Sequence, residues 1–175
     1  MVNIGEYVSY KTTGVCTVDS VIKMEIPGTK DQKDYYVLKP VYDEQGVIYC
    51  PVDYAENFVR AILSKDEANI LISELETLPM FDMSNKKILD EACKTAMDTG
   101  LTREYLIVMK TLWAQRVQRI AEGKKITTTN DRFFKACQDK ACGELAVALG
   151  QDNTEVVAML RIIRVSLCRC QFAEF

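Results

Sequence analysis

The first 63 residues alternate short β-branched and aromatic runs with turn signals. Such alternation, punctuated by Gly, Pro and Asp, is typical of short antiparallel strands joined by tight turns. A domain of this size closes most easily as a small SH3-like or Tudor-like barrel, since partial closure hides most sheet edges. Pro40 and Pro51 lack a backbone N–H, so each is expected at a sheet edge or strand end. The apolar runs are YVSY, VCTVDSVI, DYYVLKPVY and VIYCPV.

After Leu63 the apolar spacing becomes helical, which predicts a domain boundary there and an all-α bundle of about five helices over residues 64–175. Ser64 and Glu67 have the spacing of a capping box. Gly100 has the position of a C-terminal helix cap. The fold class is therefore α+β, with a domain at 1–63 and another at 64–175. The predicted helices cover about 66–77, 84–100, 102–122, 128–150 and 155–167.

The apolar stripes of these helices give the candidate core of the second domain. We expect Ile88, Leu89, Ala92 and Ala96 to be buried in the second helix, and Thr128 to cap the fourth with Asp131 as its partner. Trp113 lies on the apolar stripe of the third helix and is interpreted as a core residue.

Composition excludes several functional classes. The chain has 175 residues, 48% apolar, with no histidine and seven cysteines that form no C-x-x-C pair. Without histidine the commonest general base is missing, and the cysteine spacings do not resemble a zinc site, so we expect no metal, cofactor or small-molecule substrate. No apolar run approaches the length of a membrane span, and the first residues do not resemble a signal peptide, which favours a cytoplasmic protein without membrane contact.

Charge is unevenly distributed. Residues 1–63 carry a net −3 and residues 64–175 are neutral overall, but residues 110–140 are locally +5. This basic stretch is either a solvated helix face or a surface for nucleic acid.

Several motifs resemble the CarD/CdnL family of bacterial transcription regulators. The opening IGEYVSY followed by Gly14-Val15 resembles the family's Gly-Asp-x-Val-x-Tyr-Pro, and Ile26-Pro27-Gly28 with YYVL resembles its central hairpin. Pro51-Val52 resembles the strand that ends in Val-Pro. In the second domain, Leu112-Trp113 and the Gly143–Ala146 motif GELA are similar to helix-internal motifs of the family.

The resemblance implies binding to the β subunit of RNA polymerase by strand pairing, through the domain also found in transcription-repair coupling factor. Arginines that some family members direct at polymerase correspond here to Met24 and Tyr49. The candidate polymerase-binding residues are Met24, Tyr36, Val37, Leu38, Val47, Ile48 and Tyr49.

The resemblance also implies contact with promoter DNA in the polymerase complex. The family's wedge tryptophan corresponds to Met83 here, and methionine is among the side chains that insert between base steps. The candidate DNA-binding residues are Met83, Asn85, Lys86 and Lys87 near the second helix, and Arg116, Arg119, Lys124, Lys125 and Arg132 in the basic stretch.

Three functional hypotheses follow. The first is a non-enzymatic regulator that binds polymerase and alters open-complex stability without reading DNA sequence. The second is a protein-interaction adaptor with no DNA role. The third, a small hydrolase or transferase, lacks a phosphate-binding loop, a nucleophile elbow and metal spacing, so we expect no enzymatic activity.

Overall fold

A computed structural model describes residues 2–25, 31–125 and 127–160. The chain divides into two compact units, residues 1–62 and residues 63–175. Ile26-Pro27-Gly28 of the predicted central hairpin and the predicted end of the fifth helix lie outside the described residues. No helix among the described residues is long and apolar enough to cross a membrane.

The N-terminal unit contains the strands β1 Tyr7–Tyr10, β2 Gly14–Glu25, β3 Gln32–Pro40, β4 Ile48–Pro51 and β5 Val59–Ala61. They form a five-stranded antiparallel sheet with the order β4-β3-β2-β1-β5. A shift of register between Val18 and Ser20 leaves Asp19 as a bulge in β2, which increases the local twist. Pro40 and Pro51 are the last residues of β3 and β4, where a missing N–H is tolerated.

The prediction of a closed barrel is wrong. Closure would require the two edge strands, β4 and β5, to pair with each other, and in the described sheet each pairs with one other strand only. The short connection between them folds as a 3₁₀-helix, Val52–Asn57, which places Ala55 in the core. Val52 of the same helix also packs against this core, so the helix adds apolar contacts to the open sheet.

The second unit is helical, with α1 Lys65–Ser73, α2 Lys86–Thr99, α3 Thr102–Ala121, α4 Thr128–Leu149 and α5 over residues 153–160. Ser64 and Glu67 form the predicted capping box, and Gly100 adopts the left-handed conformation (φ 74°) that ends α2. Thr127, rather than Thr128, is the N-cap of α4, and no side chain caps that helix. Six helical segments occur in the described residues, including the 3₁₀-helix that sequence patterns did not predict. The others are α1 to α5.

The core of the second unit differs from the predicted stripe at three positions. Ile88 is 51% exposed, because α2 turns Leu89, Cys93 and Ala96 toward the bundle instead. Ala92 and Trp113 are half-buried. The Trp113 ring lies 6.4 Å from that of Phe134 on α4, so it bridges two helices near the surface.

Glu144, in the C-terminal third of α4, is 1% exposed and is the acidic residue buried among the described residues of this unit. Its Oε1 accepts a hydrogen bond from the Leu63 N–H (3.0 Å) and its Oε2 accepts one from the Thr102 hydroxyl (2.6 Å). These donors lie at the beginnings of α1 and α3, where a carboxylate also interacts favourably with the helix dipoles. The GELA motif therefore anchors the N-terminal ends of two helices.

Candidate functional site

The sheet of the N-terminal unit separates the predicted polymerase-binding residues into two groups. Cross-strand pairs share a face of an antiparallel sheet. Tyr36 pairs with Cys50, and Leu38 pairs with Ile48 and Val18, all of which face or pack on the core. Tyr36 and Leu38 are buried, at 5% and 0% exposure, so their side chains are unavailable to a partner. Both side chains pack in the core that holds the domain together, and their contact with polymerase stays a prediction.

The opposite face carries Met24, Val37 and Tyr49. Val37 pairs with Tyr49, and Met24 lies on the same side two residues beyond Ile22, which pairs with Tyr35. Met24 and Tyr49 are 37% and 51% exposed, whereas Val37 is largely covered. Ile22 and Tyr35 share this face, although the sequence analysis did not select them. The face carries these apolar and aromatic side chains from β2 to β4, together with Ser20 and Lys33, which pair with Val37 and Met24.

Position in the sheet decides which strand has a free edge. β3 lies between β2 and β4, and both neighbours pair with its residues 35–38, so this stretch offers no free edge. β4 pairs with β3 alone among the described strands. Val47 and Tyr49, at 46% and 51% exposure, flank the free side of this strand.

The backbone N–H and C=O groups of β4 point alternately toward β3 and toward the open side of the sheet. The Val41 N–H donates to the Val15 carbonyl (3.0 Å), so odd-numbered residues of β3 direct their backbone groups toward β2. Even-numbered residues therefore face β4, where Leu38 meets Ile48 and Tyr36 meets Cys50. The N–H and C=O of Tyr49 then point away from β3, toward the open side of the sheet.

The segment before α2 forms a fixed turn that carries Met83. The Asp82 carboxylate accepts hydrogen bonds from the N–H (2.8 Å) and hydroxyl (2.9 Å) of Ser84, which lower the pKa of Asp82. Asn85 is the N-cap, and its Oδ1 accepts from the N–H groups of Lys87 and Ile88. Asn85 therefore has a structural role in addition to its predicted contact with DNA.

Two residues of α3 hold the preceding chain in place. Lys110 Nζ donates to the carbonyl oxygens of Glu76 (2.6 Å) and Leu78 (2.7 Å), and burial lowers the pKa of Lys110. The hydroxyl of the buried Thr111 accepts a hydrogen bond from the Phe81 N–H (3.1 Å). Met83 thus lies two residues after an anchored position.

Three side chains at the start of α2 extend into solvent. Lys86 and Lys87 are exposed and form no ion pair within the part of the chain that the structure describes. Ile88 follows them at 51% exposure, and Met83 is half-buried without belonging to the residues packed on the core. Sequence reasoning missed Ile88, because its position in the apolar stripe indicated burial. Lys86 and Lys87 also line a shallow groove with Asp90, Glu91 and Lys94.

The second predicted DNA surface is largely engaged in internal contacts. Arg116 Nη1 lies 3.4 Å from Asp131 Oδ1, and Lys124 Nζ lies 2.7 Å from Glu122 Oε2. Arg119 donates twice to the carbonyl oxygen of Lys125 at the end of α3. Lys125 and Arg132 are exposed. Three of the five predicted residues, Arg116, Arg119 and Lys124, are therefore held by contacts inside the helical unit.

The described cysteines are buried free thiols. Burial raises the pKa of Cys16 and Cys93 to about 11 and that of Cys137 to about 12, which makes these thiols poor nucleophiles. Cys137 contacts the sulfur of Met97 at 3.3 Å inside the helical core. The two remaining cysteines, Cys168 and Cys170, lie outside the described residues.

Comparison with known families identifies the first unit. Residues 2–63 match the family model described as the CarD-like/TRCF RID domain, the RNA polymerase-interacting domain of CarD-like proteins and transcription-repair coupling factor. The N-terminal unit therefore contains a domain of this family, which supports an RNA polymerase-interacting role. No curated protein matches the chain. The family match ends where the helical unit begins.

Proposed function

We propose that this protein is a transcription regulator that binds the β subunit of RNA polymerase and changes the stability of the promoter open complex. Its N-terminal unit supplies the polymerase contact, which the family match supports. The helical unit would contact DNA without reading its sequence, through the start of α2. Catalysis is not part of the proposal. The observation that carries the DNA contact is the group of exposed side chains Lys86, Lys87 and Ile88 near the half-buried Met83.

The two lysines favour an anionic partner. The first turn of α2 contains Lys86 and Lys87 and no acidic residue, although helix N-termini normally favour negative charge. A phosphate group placed there would interact with both ammonium groups and with the helix dipole. The phosphodiester backbone of DNA supplies such groups without base specificity.

The apolar side chains favour a partner that also offers a hydrophobic surface. Met83 and Ile88 are apolar, flank the lysines in sequence and are incompletely buried. Minor-groove proteins insert apolar side chains between base steps while basic neighbours hold the backbone. Met83 on its fixed turn and Ile88 on the first turn of α2 provide both components.

DNA affinity in isolation would be low, because the whole chain has a net charge of −3 and Asp90 and Glu91 lie beside the lysines. Binding to polymerase would compensate by raising the local concentration of the helical unit at the promoter. These two acidic residues also favour the adaptor without a DNA role. Open-complex lifetime, measured with cognate polymerase with and without the protein, distinguishes the two, since an adaptor would leave it unchanged.

Replacing Met83 with alanine tests the apolar contact. We expect a loss of about 1 kcal/mol in open-complex stabilisation, or a roughly fivefold change in lifetime, because a methionine contributes less stacking area than an aromatic wedge. The measurement is the decay of competitor-challenged open complexes. A lower melting temperature with an unchanged lifetime would instead identify Met83 as a packing residue.

Reversing both lysines, Lys86→Glu with Lys87→Glu, tests the phosphate contact. We expect the effect on the open complex to be large at low salt and to shrink as salt rises, as for any contact that releases counterions. The matched control is Lys124→Glu with Lys125→Glu, which makes the same change of charge at the other basic surface. If only the control pair alters the open complex, the DNA contact lies at the end of α3.

A further inference from the structure

Apart from its short length and the proline at its end, the free side of β4 lacks the features that usually prevent strand pairing. Natural sheet edges carry lysines, bulges or prolines that block a neighbouring strand. From Val47 to Cys50 the strand has no charged residue, no proline and no bulge, and Val47 and Tyr49 are exposed. Pro51 and the 3₁₀-helix end the available edge on one side. The edge therefore offers a short, apolar template for one strand of a partner.

Carboxylates lie on both sides of this template. Between Pro40 and Val59 the chain contains four acidic residues and no lysine or arginine. Asp43 and Glu44 precede β4, whereas Asp53 and Glu56 lie in the 3₁₀-helix that follows it, and all four are exposed. Only Asp53 has an ion-pair partner within the described residues, Lys33 at 3.1 Å.

The remaining carboxylates have separate local environments. Asp43 Oδ1 accepts a hydrogen bond from the Gln45 N–H (3.3 Å), so its side chain stabilises the turn before β4. Glu44 and Glu56 form no hydrogen bond or ion pair with the described part of the chain. A strand paired with β4 would lie about 5 Å from it, and its ends would lie beside the ends of β4, which adjoin in sequence the segments that carry these two carboxylates.

Resting on the proposed function, we propose that the polymerase strand pairing with β4 has an apolar centre and carries lysine or arginine at its ends. Opposite charges beside the pairing segment accelerate encounter and fix register, whereas acidic ends would be repelled. Because carboxylates lie at both ends of β4, this complementarity holds for parallel and for antiparallel pairing. The N-terminal unit is thus the acidic partner in its complex with polymerase.

The test measures binding of the full-length protein to purified cognate core polymerase at about 50 and 300 mM salt, where screening differs strongly. Glu44→Gln with Glu56→Gln is expected to slow association by about threefold at low salt, and Glu44→Lys with Glu56→Lys by about tenfold. At high salt the differences should largely vanish. Circular dichroism verifies that each variant is folded.

A matched control separates the edge from net charge. Glu25→Gln with Asp34→Asn removes two exposed carboxylates of the same unit, on the β2–β3 hairpin, and should leave association within about twofold of wild type. Equal effects of the two neutralised pairs, or no effect of the reversed pair, would overturn the inference while polymerase binding stands. Absence of binding by the wild-type protein would overturn the proposed function instead.

Discussion

Substituting Tyr49 with proline is expected to weaken binding to the polymerase β subunit by roughly 30- to 150-fold, equivalent to about 2 to 3 kcal/mol. The Tyr49 N–H points away from β3, so proline removes a donor that a partner strand would use and adds a ring on the pairing side. No hydrogen bond inside the sheet is lost, because Ile48 and Cys50 are the residues bonded to β3. Binding is measured by titration of the labelled full-length protein.

Two variants control this experiment. Tyr49→Ala removes the same side chain but keeps the N–H, and should retain most of the affinity. Ile48→Pro breaks the ladder between β3 and β4 and should lower the melting temperature, which marks the cost of disturbing the fold itself. Pairing through β4 is ruled out if folded Tyr49→Pro binds the β subunit as well as Tyr49→Ala does.

Replacing Glu144 with alanine is expected to lower the free energy of unfolding of the helical unit by about 3 to 4 kcal/mol. The change leaves the Leu63 N–H and the Thr102 hydroxyl without their carboxylate acceptor and opens a cavity in a fully packed region. Both lost contacts lie at helix N-termini, so the beginnings of α1 and α3 should loosen first. Urea unfolding followed by circular dichroism gives the magnitude.

Glu144→Gln is the matched variant for size. It keeps one oxygen acceptor and the shape of the side chain, so we expect a loss of only about 1 to 2 kcal/mol. Thr102→Val removes one partner of the carboxylate and should cost a similar amount. A loss below about 1 kcal/mol for Glu144→Ala would show that the GELA motif does not anchor these helices.

The candidate surfaces show where residue patterns are sufficient and where they are not. The run Tyr36-Val37-Leu38 predicts a strand. Because all three residues are apolar, the sequence does not show which of them face the core. Pairing with Cys50 and Val18 decides that Tyr36 and Leu38 belong to the core. The same applies to Ile88, whose exposure depends on the rotation of α2 about its axis.

The basic stretch of residues 110–140 illustrates a similar limit. Counting charges predicts a positive face, but the count does not include the distances between side chains. Asp131 follows Arg116 by 15 residues and lies on the next helix, but its Oδ1 is 3.4 Å from Arg116 Nη1. Only the packing of α4 against α3 brings them together, and this contact removes part of the positive surface.

What the sequence determined by itself is local. The change from alternating to helical spacing at Leu63, the capping box of Ser64 and Glu67, and the left-handed Gly100 depend on interactions among near neighbours in the chain. The opening motifs identified the polymerase-interacting domain for the same reason, since a family signature is a property of consecutive residues. Tertiary structure alone decided that the sheet stays open, that β4 is one of its two edge strands and that Glu144 joins two helix ends. Each of these depends on contacts between residues far apart in sequence, and many chain arrangements satisfy the same local preferences.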